Sequence, residues 1–128
     1  MKLLLDTHIL LWAAGEPEKL SEPARTLLMA PENILFFSAA SMWEIVIKRG
    51  LKREDFRVDP RRLRKMLIIH GYIELAVNAD HAFMLEMLPL LHEDPFDRLL
   101  LAQARTEGML LVTVDASVSQ YQESVLAV

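Results

Sequence analysis

Asp6 and Asp115 each stand directly behind a short apolar run, Lys2-Leu3-Leu4-Leu5 and Met109-Leu110-Leu111-Val112-Thr113-Val114 respectively. A third acid, Glu44, lies inside Met42-Trp43-Glu44-Ile45-Val46-Ile47, a segment that is apolar nearly all the way round as a helix. A buried, ionised carboxylate is costly unless it is paired or bound to a metal. The spacing Ser41-x-x-Glu44 would suit a capping box. However, Ser38 directly follows an apolar run and is the better N-cap, which puts Glu44 beyond the first turn and favours a site role. Asp94 and Asp97 are a fourth and fifth acid. Asp94 precedes Pro95 and is explained by capping. Asp97 could answer the unpaired N–H groups and dipole of the same helix, or it could face a site. Arg98 beside it reads as either a surface charge or a phosphate contact. Asp6 and Asp115 could likewise be simple caps.

Carboxylates of this kind, in a chain with no cysteine, suit a hard divalent cation. Mg²⁺ and Mn²⁺ prefer oxygen ligands, keep several waters, and bind through carboxylates together with substrate phosphates. Clustered acids repel one another and raise some of their pKa values when no metal is present. A divalent ion relieves that repulsion, polarises a phosphoryl oxygen and lowers the pKa of a bound water. Convergence of the acids does not follow from their types alone.

The elements that would have to position them alternate. Strand-like stretches are expected at Lys2–Leu5, Ile34–Phe37, Tyr72–Val77, Met109–Val114 and Ser124–Ala127, the last as an edge. Between them the sequence predicts a helix to about Ala14, one capped by Ser21 running to about Ala30, and one from Ser38 to about Arg49. Further helices are predicted from Asp59-Pro60 to His70, from Asn78 or Asp80 to about Met87, and from Asp94-Pro95 to Glu107. Gly108 is the stop signal of that last helix, and a short helix follows Asp115. Continuous apolar strands separated by helices imply a parallel sheet covered on both faces, hence a three-layer α/β/α fold of four to five strands. In such sheets function collects at the carboxyl ends of the strands, where strand order reverses.

At 128 residues, with 52% hydrophobic and 25% charged residues, the chain fits one domain, 1–128, with a real core. The apolar start is interrupted by Asp6 and His8 and lacks a cleavage site, so a signal peptide is rejected. No apolar stretch is long enough to span a membrane, and a soluble, cytoplasmic protein is expected. The net charge of −4 hides an asymmetry: nine basic residues against three acids between Lys48 and Lys65 give that segment +6 and the rest −10. This segment is either a solvated helix–loop–helix surface or a phosphate-contacting edge beside an acidic site. The stretch Met84 to Leu91 is either core or a partner surface. His8, His70, His81 and His92 show no metal-ligand spacing, and His8 and His92 are expected to be structural.

Four segments, in order along the whole chain, resemble the PIN domain and, within it, the toxin nucleases of VapBC-type toxin–antitoxin pairs. They are Leu3-Leu4-Leu5-Asp6-Thr7-His8, Ser38-Ala39-Ala40-Ser41-Met42-Trp43-Glu44-Ile45, His92-Glu93-Asp94-Pro95-Phe96-Asp97-Arg98 with Leu99 to Ala104, and Leu110-Leu111-Val112-Thr113-Val114-Asp115. The resemblance implies an acidic quartet of Asp6, Glu44, Asp97 and Asp115, with Asp6 and Asp97 as direct metal ligands and Asp94 as a cap or supporting residue. It places small hydroxyl residues near the site at Thr7, Ser38 and Thr113. It further implies a Mg²⁺-dependent (or Mn²⁺-dependent) endoribonuclease acting on RNA such as tRNA or rRNA, a homodimer, and neutralisation by a small VapB-type antitoxin. Val114 departs from the basic residue that relatives often place before the last acid, which bears on substrate contacts rather than on the metal site. Rival readings are a PIN-like nuclease of RNA processing or DNA cleavage without an antitoxin, and a non-catalytic Mg²⁺-binding receiver-type signalling domain. The latter needs a phosphoacceptor Asp ending the third strand and a late Lys; the strand runs into Asn78 and no Lys follows Lys65.

Overall fold

Three consecutive leucines, Leu3, Leu4 and Leu5, are fully buried. A strand sends successive side chains to opposite faces, so this strand must be covered on both sides and belongs at the centre of the sheet. The computed structural model, which describes residues 1–128, places it there. Strands β1 (Lys2–Leu5), β2 (Ile34–Ser38), β3 (Ile73–Leu75), β4 (Leu110–Thr113) and β5 (Val125–Ala127) form one sheet in the order β3-β2-β1-β4-β5. All four pairings are parallel.

Leu3 and Leu5, with Phe37 and Val112, face helices α1 (Thr7–Gly15), α2 (Glu22–Met29) and α4 (Pro60–Ile69) through Ile9, Leu10, Ala24, Leu63 and Leu67. Leu4 and Leu111 face the other layer, built from α6 (Pro95–Glu107) and α7 (Ala116–Ser119) with Met84 of α5 (Ala79–Met84) packed against it. Helix α3 (Ala39–Gly50) supplies Ile45 to the first layer and Ala40 to the second. Each fully buried leucine contributes roughly 1.5–3 kcal/mol, so the two leucine-rich layers supply the main drive to this fold. The expected three-layer α/β/α architecture is thus realised with five strands.

The strands expected over Met109–Val114 and Ser124–Ala127 are trimmed to Leu110–Thr113 and Val125–Ala127, and two other elements are shorter by three residues. The strand expected over Tyr72–Val77 is confined to Ile73–Leu75. Its only neighbour is β2, whose last pair is Ser38 with Leu75, and beyond Ser38 that chain has turned into α3. The helix expected to reach Met87 is α-helical only to Met84 and tightens into a 3₁₀ turn over Leu85–Met87, as Pro89 approaches. Within Met84 to Leu91 Leu88 is buried and Met84 and Leu85 pack against the core, whereas Met87, Leu90 and Leu91 are exposed beside exposed Phe83. Gly108 ends α6 in the left-handed conformation, φ 69°, which a residue with a Cβ adopts at a cost. No helix is long and apolar enough to cross a membrane.

Candidate metal centre at the strand ends

In the order β3-β2-β1-β4-β5 the chain direction of growth reverses at β1 and β4, and a crevice opens at their carboxyl ends. Asp6 follows β1, and its backbone N–H extends the ladder to Val112 O at 3.0 Å. Asp115 follows β4 by one residue. Both acids do cap the helices behind them: Asp6 Oδ1 accepts from Ile9 N at 2.9 Å, and Asp115 Oδ1 accepts from Ser117 N at 2.7 Å. Capping takes one oxygen of each, so a cap and a site residue are compatible roles. Thr113 ties the two acids together, because its hydroxyl donates to Asp6 Oδ2 at 2.5 Å and accepts from Asp115 N at 3.0 Å.

Ser38 is the N-cap of α3, accepting from Ala40 N at 2.9 Å, so Glu44 lies in the second turn and not in a capping box. Only 3% of Glu44 is exposed. Its Oε1 accepts from the Thr7 hydroxyl at 2.5 Å and its Oε2 from Lys48 Nζ at 2.5 Å. The burial of this carboxylate is therefore already met by a cation and a hydroxyl. Ser41 Oγ, 3.0 Å from Thr7 Oγ1, completes the local hydroxyl pair. An edge-on contact between Trp43 and Phe96, with ring centres 4.9 Å apart, brings α3 against the start of α6.

There Asp94 caps the helix, accepting from Phe96 N at 2.8 Å and Asp97 N at 3.2 Å with the same oxygen, Oδ1. Asp97 Oδ2 meets His92 Nε2 at 2.7 Å. Asp6, Thr7, Glu44, Asp94, Asp97 and Asp115 line one cleft of about 320 Å³, together with His8, Trp12, Lys48 and Val114. The structure thus brings all four acids of the expected quartet to one cavity, with Asp94 beside them. Ser38 is elsewhere: its hydroxyl donates to Gln103 Oε1 inside the core. Arg98 does not line the cleft either. Its guanidinium donates to the carbonyls of Pro89 and Leu85 and to the Tyr121 hydroxyl, which also accepts from the N–H groups of Leu91 and His92. Arg98 and Tyr121 tether the loop that carries His92 and Asp94.

The negative charge of the cleft is visible in its acid–base chemistry. Burial pushes the Asp97 carboxyl up to about 6, opposed by the His92 hydrogen bond and reinforced by the carboxylates of Asp94, Glu44 and Asp6. Burial likewise raises Asp6, against the pull of its bonds to Thr113 and Ile9 and of His8, while Glu44 pushes it further up. Such mutual repulsion among oxygen donors is the environment that a hard cation relieves. The group close enough to share one ion is His92, Asp94 and Asp97; Asp97 Oδ1 and Asp94 Oδ2 accept no protein hydrogen bond there, nor does Asp115 Oδ2 across the cleft.

Two features escaped sequence reasoning. His92, expected to be structural and without ligand spacing, has a ring nitrogen within 4.8 Å of carboxylate oxygens of both Asp94 and Asp97. The expectation that no histidine has ligand spacing is corrected for this residue; the pattern His92-x-Asp94-x-x-Asp97 across a helix start was the available signal. Lys48 was read as part of the basic segment, yet it lines the cleft; its position one turn after Glu44 was the signal.

Fold and site together define an open-sheet α/β protein with an acidic, oxygen-donor cleft at its switch point. The chain belongs to the PIN domain family, whose model matches residues 3–123. PIN domains are nucleases and generally use divalent metals, which places the chain among hydrolases acting on nucleic acids. The fold is similar to that of VapBC2 from Rickettsia felis, bound to a DNA fragment from their promoter, with a TM-score of 0.71 at 16% identity over 100% of this chain and 98% of that one. It is also similar to VapBC-1 from nontypeable Haemophilus influenzae (TM-score 0.67, 16% identity, 100% and 97% covered). A toxin–antitoxin complex from Klebsiella pneumoniae is a further likeness (TM-score 0.61, 19% identity, 98% and 96% covered). Among proteins with curated descriptions none matches the sequence.

Proposed function

We propose that the protein is a Mg²⁺-dependent endoribonuclease, with Mn²⁺ as an alternative ion, and the toxin of a VapBC-type pair. The observation that carries this reading is the convergence of Asp6, Glu44, Asp97 and Asp115 in one cleft at the switch point of a PIN domain. Asp6 and Asp97 are assigned as direct ligands, with Asp94, Asp115 and His92 available around them. When bound, the ion supplies Lewis-acid polarisation of a phosphoryl oxygen and a water of lowered pKa. The chain's own residues do the rest. Thr113 holds the Asp6 carboxylate in one orientation, His92 does the same for Asp97, and Thr7 with Lys48 fixes Glu44 at the cleft wall. The cleft's five carboxylates weaken, without abolishing, the binding of a polyanion when no cation is present, so binding of strand and ion is coupled.

RNA is the assigned substrate, with single-stranded loops of tRNA or rRNA the fitting class because unstacked nucleotides expose their phosphates. A VapB-type antitoxin is the assigned partner, supported by the toxin–antitoxin complexes that share this fold. The exposed apolar row Trp43, Val46, Ile47 and Leu51 along α3, and the row Phe83, Met87 and Leu90, supply surface for it and for a homodimer. Purified protein incubated with total RNA in Mg²⁺, Mn²⁺ or EDTA tests the activity, beside Asp6→Ala. Discrete metal-dependent cuts lost in the variant are expected. A folded protein that cuts nothing in either metal would overturn the reading.

A further inference from the structure

Lys48 is unlike every other cation in the basic segment. The side chains of Arg49, Arg53, Arg57 and Arg64 are 46–77% exposed and pair with Asp59, Asp55, Glu54 and Glu74 at the surface. The Lys48 side chain is only 17% exposed, and it alone among lysines and arginines lines the acidic cleft. Its ammonium lies 4.9 Å from the ring centre of Phe56 and 5.8 Å from that of Phe96, two aromatic faces that attract a cation and keep its stem from swinging out. Glu44 takes one of its three N–H donors at 2.5 Å. No other protein acceptor engages the ammonium, so two donors remain for whatever enters the cleft.

Neutralising Glu44 does not by itself call for this arrangement, since the Thr7 hydroxyl already serves the other oxygen and a solvated i,i+4 partner would serve as well. A caged ammonium with free donors on the wall of an otherwise negative cleft is suited to an anionic oxygen. We propose that Lys48 is a substrate-binding residue whose ammonium, oriented by Glu44, contacts a phosphate of the RNA strand entering the cleft. This rests on the nuclease reading above.

The test uses a fluorescein-labelled oligouridine and its anisotropy in EDTA, where hydrolysis is suppressed, over a range of KCl concentrations. Removing one phosphate contact from a single strand lowers the slope of log K against log salt by about 0.7. Lys48→Met should therefore bind about tenfold more weakly near 0.1 M salt, as expected for the loss of a charge-assisted hydrogen bond, with the slope reduced by about 0.7. Lys48→Arg should restore the slope. Because Lys48→Met leaves Glu44 buried without its cation and can fail to fold, the same comparison is made between Glu44→Gln and the double variant Glu44→Gln/Lys48→Met. The lower slope is expected only in the double. Unchanged slopes in both comparisons, or no binding by the wild-type protein, would overturn the assignment. Parallel cleavage in Mg²⁺ separates the two readings: cutting with unchanged slopes removes Lys48 alone, whereas a lowered slope without any cutting keeps the phosphate contact and removes the nuclease.

Discussion

Asp97→Asn provides a test of the cleft's electrostatics that does not depend on activity. The carboxyl of Asp97 rises from 3.8 to about 6 on folding, chiefly because it is buried. Between those values the folded protein holds a proton that the unfolded chain has lost. Stability of the metal-free protein must therefore fall as pH rises through that window. The penalty is absent below about 3.8 and complete above about 6. At about 1.4 kcal/mol per pH unit it amounts to roughly 3 kcal/mol at neutral pH. An amide at this position carries no such penalty and still accepts a hydrogen bond from His92. The variant should accordingly be the more stable protein in EDTA at pH 7, by about 10 °C in melting temperature, with the advantage vanishing near pH 4. Urea unfolding followed by circular dichroism from pH 4 to 8 measures it. Saturating Mg²⁺ should reverse the order, because an ion at about a thousand times its Kd adds about 4.1 kcal/mol to the protein that binds it, more than the penalty. A pH-independent difference, or a less stable variant at pH 7 without metal, would refute the view that repelling buried carboxylates dominate this site.

Gln103→Leu should cost about 1–3 kcal/mol in urea unfolding. Gln103 is fully buried and joins the Ser38 hydroxyl to Ala76 O beside the buried ring of His81, so the leucine would leave the buried Ser38 hydroxyl without its acceptor. Gly108→Ala should cost about 1 kcal/mol, because a Cβ there would meet nothing within 4 Å and only the backbone conformation, φ 69°, resists it; a larger loss in the same assay would mean that packing is involved.

Signals that act over a few residues were readable in advance. The caps Ser21, Asp59, Asp94 and Asp115, each with a side chain that accepts from the following turn, sit where their residue types and, for the first three, nearby prolines put them; of Asn78 and Asp80 the fold selects Asn78. Ser38 as the cap of α3, and hence Glu44 inside the helix, was readable for the same reason. What could not be read lies in contacts across long separations. Thr113 to Asp6 spans 107 residues and Ser38 to Gln103 spans 65, and nothing local marks either pair. Arg98 is an example of ambiguity resolved only by the fold: a helix-start arginine next to an acid reads equally as a surface charge or a phosphate contact until the carbonyls of Leu85 and Pro89 are brought to it. The 3₁₀ turns at Pro17–Lys19 and Glu54–Phe56 were too short to leave a periodic signal.

Of the five strands the central β1 is synthesised first, and one of its two neighbours, β4, is the fourth. A chain emerging from the ribosome can pair β1 with β2 early, but Asp6 gains Thr113 only once β4 exists, 107 residues further on. The tether from Tyr121 to the loop of His92 comes later still. Until then Asp6 and Glu44 lie on an unfinished half-sheet with an open edge. Assembly of the acidic cleft thus waits on β4, and a chain cut short before β4 would carry most of the acids yet hold no finished site.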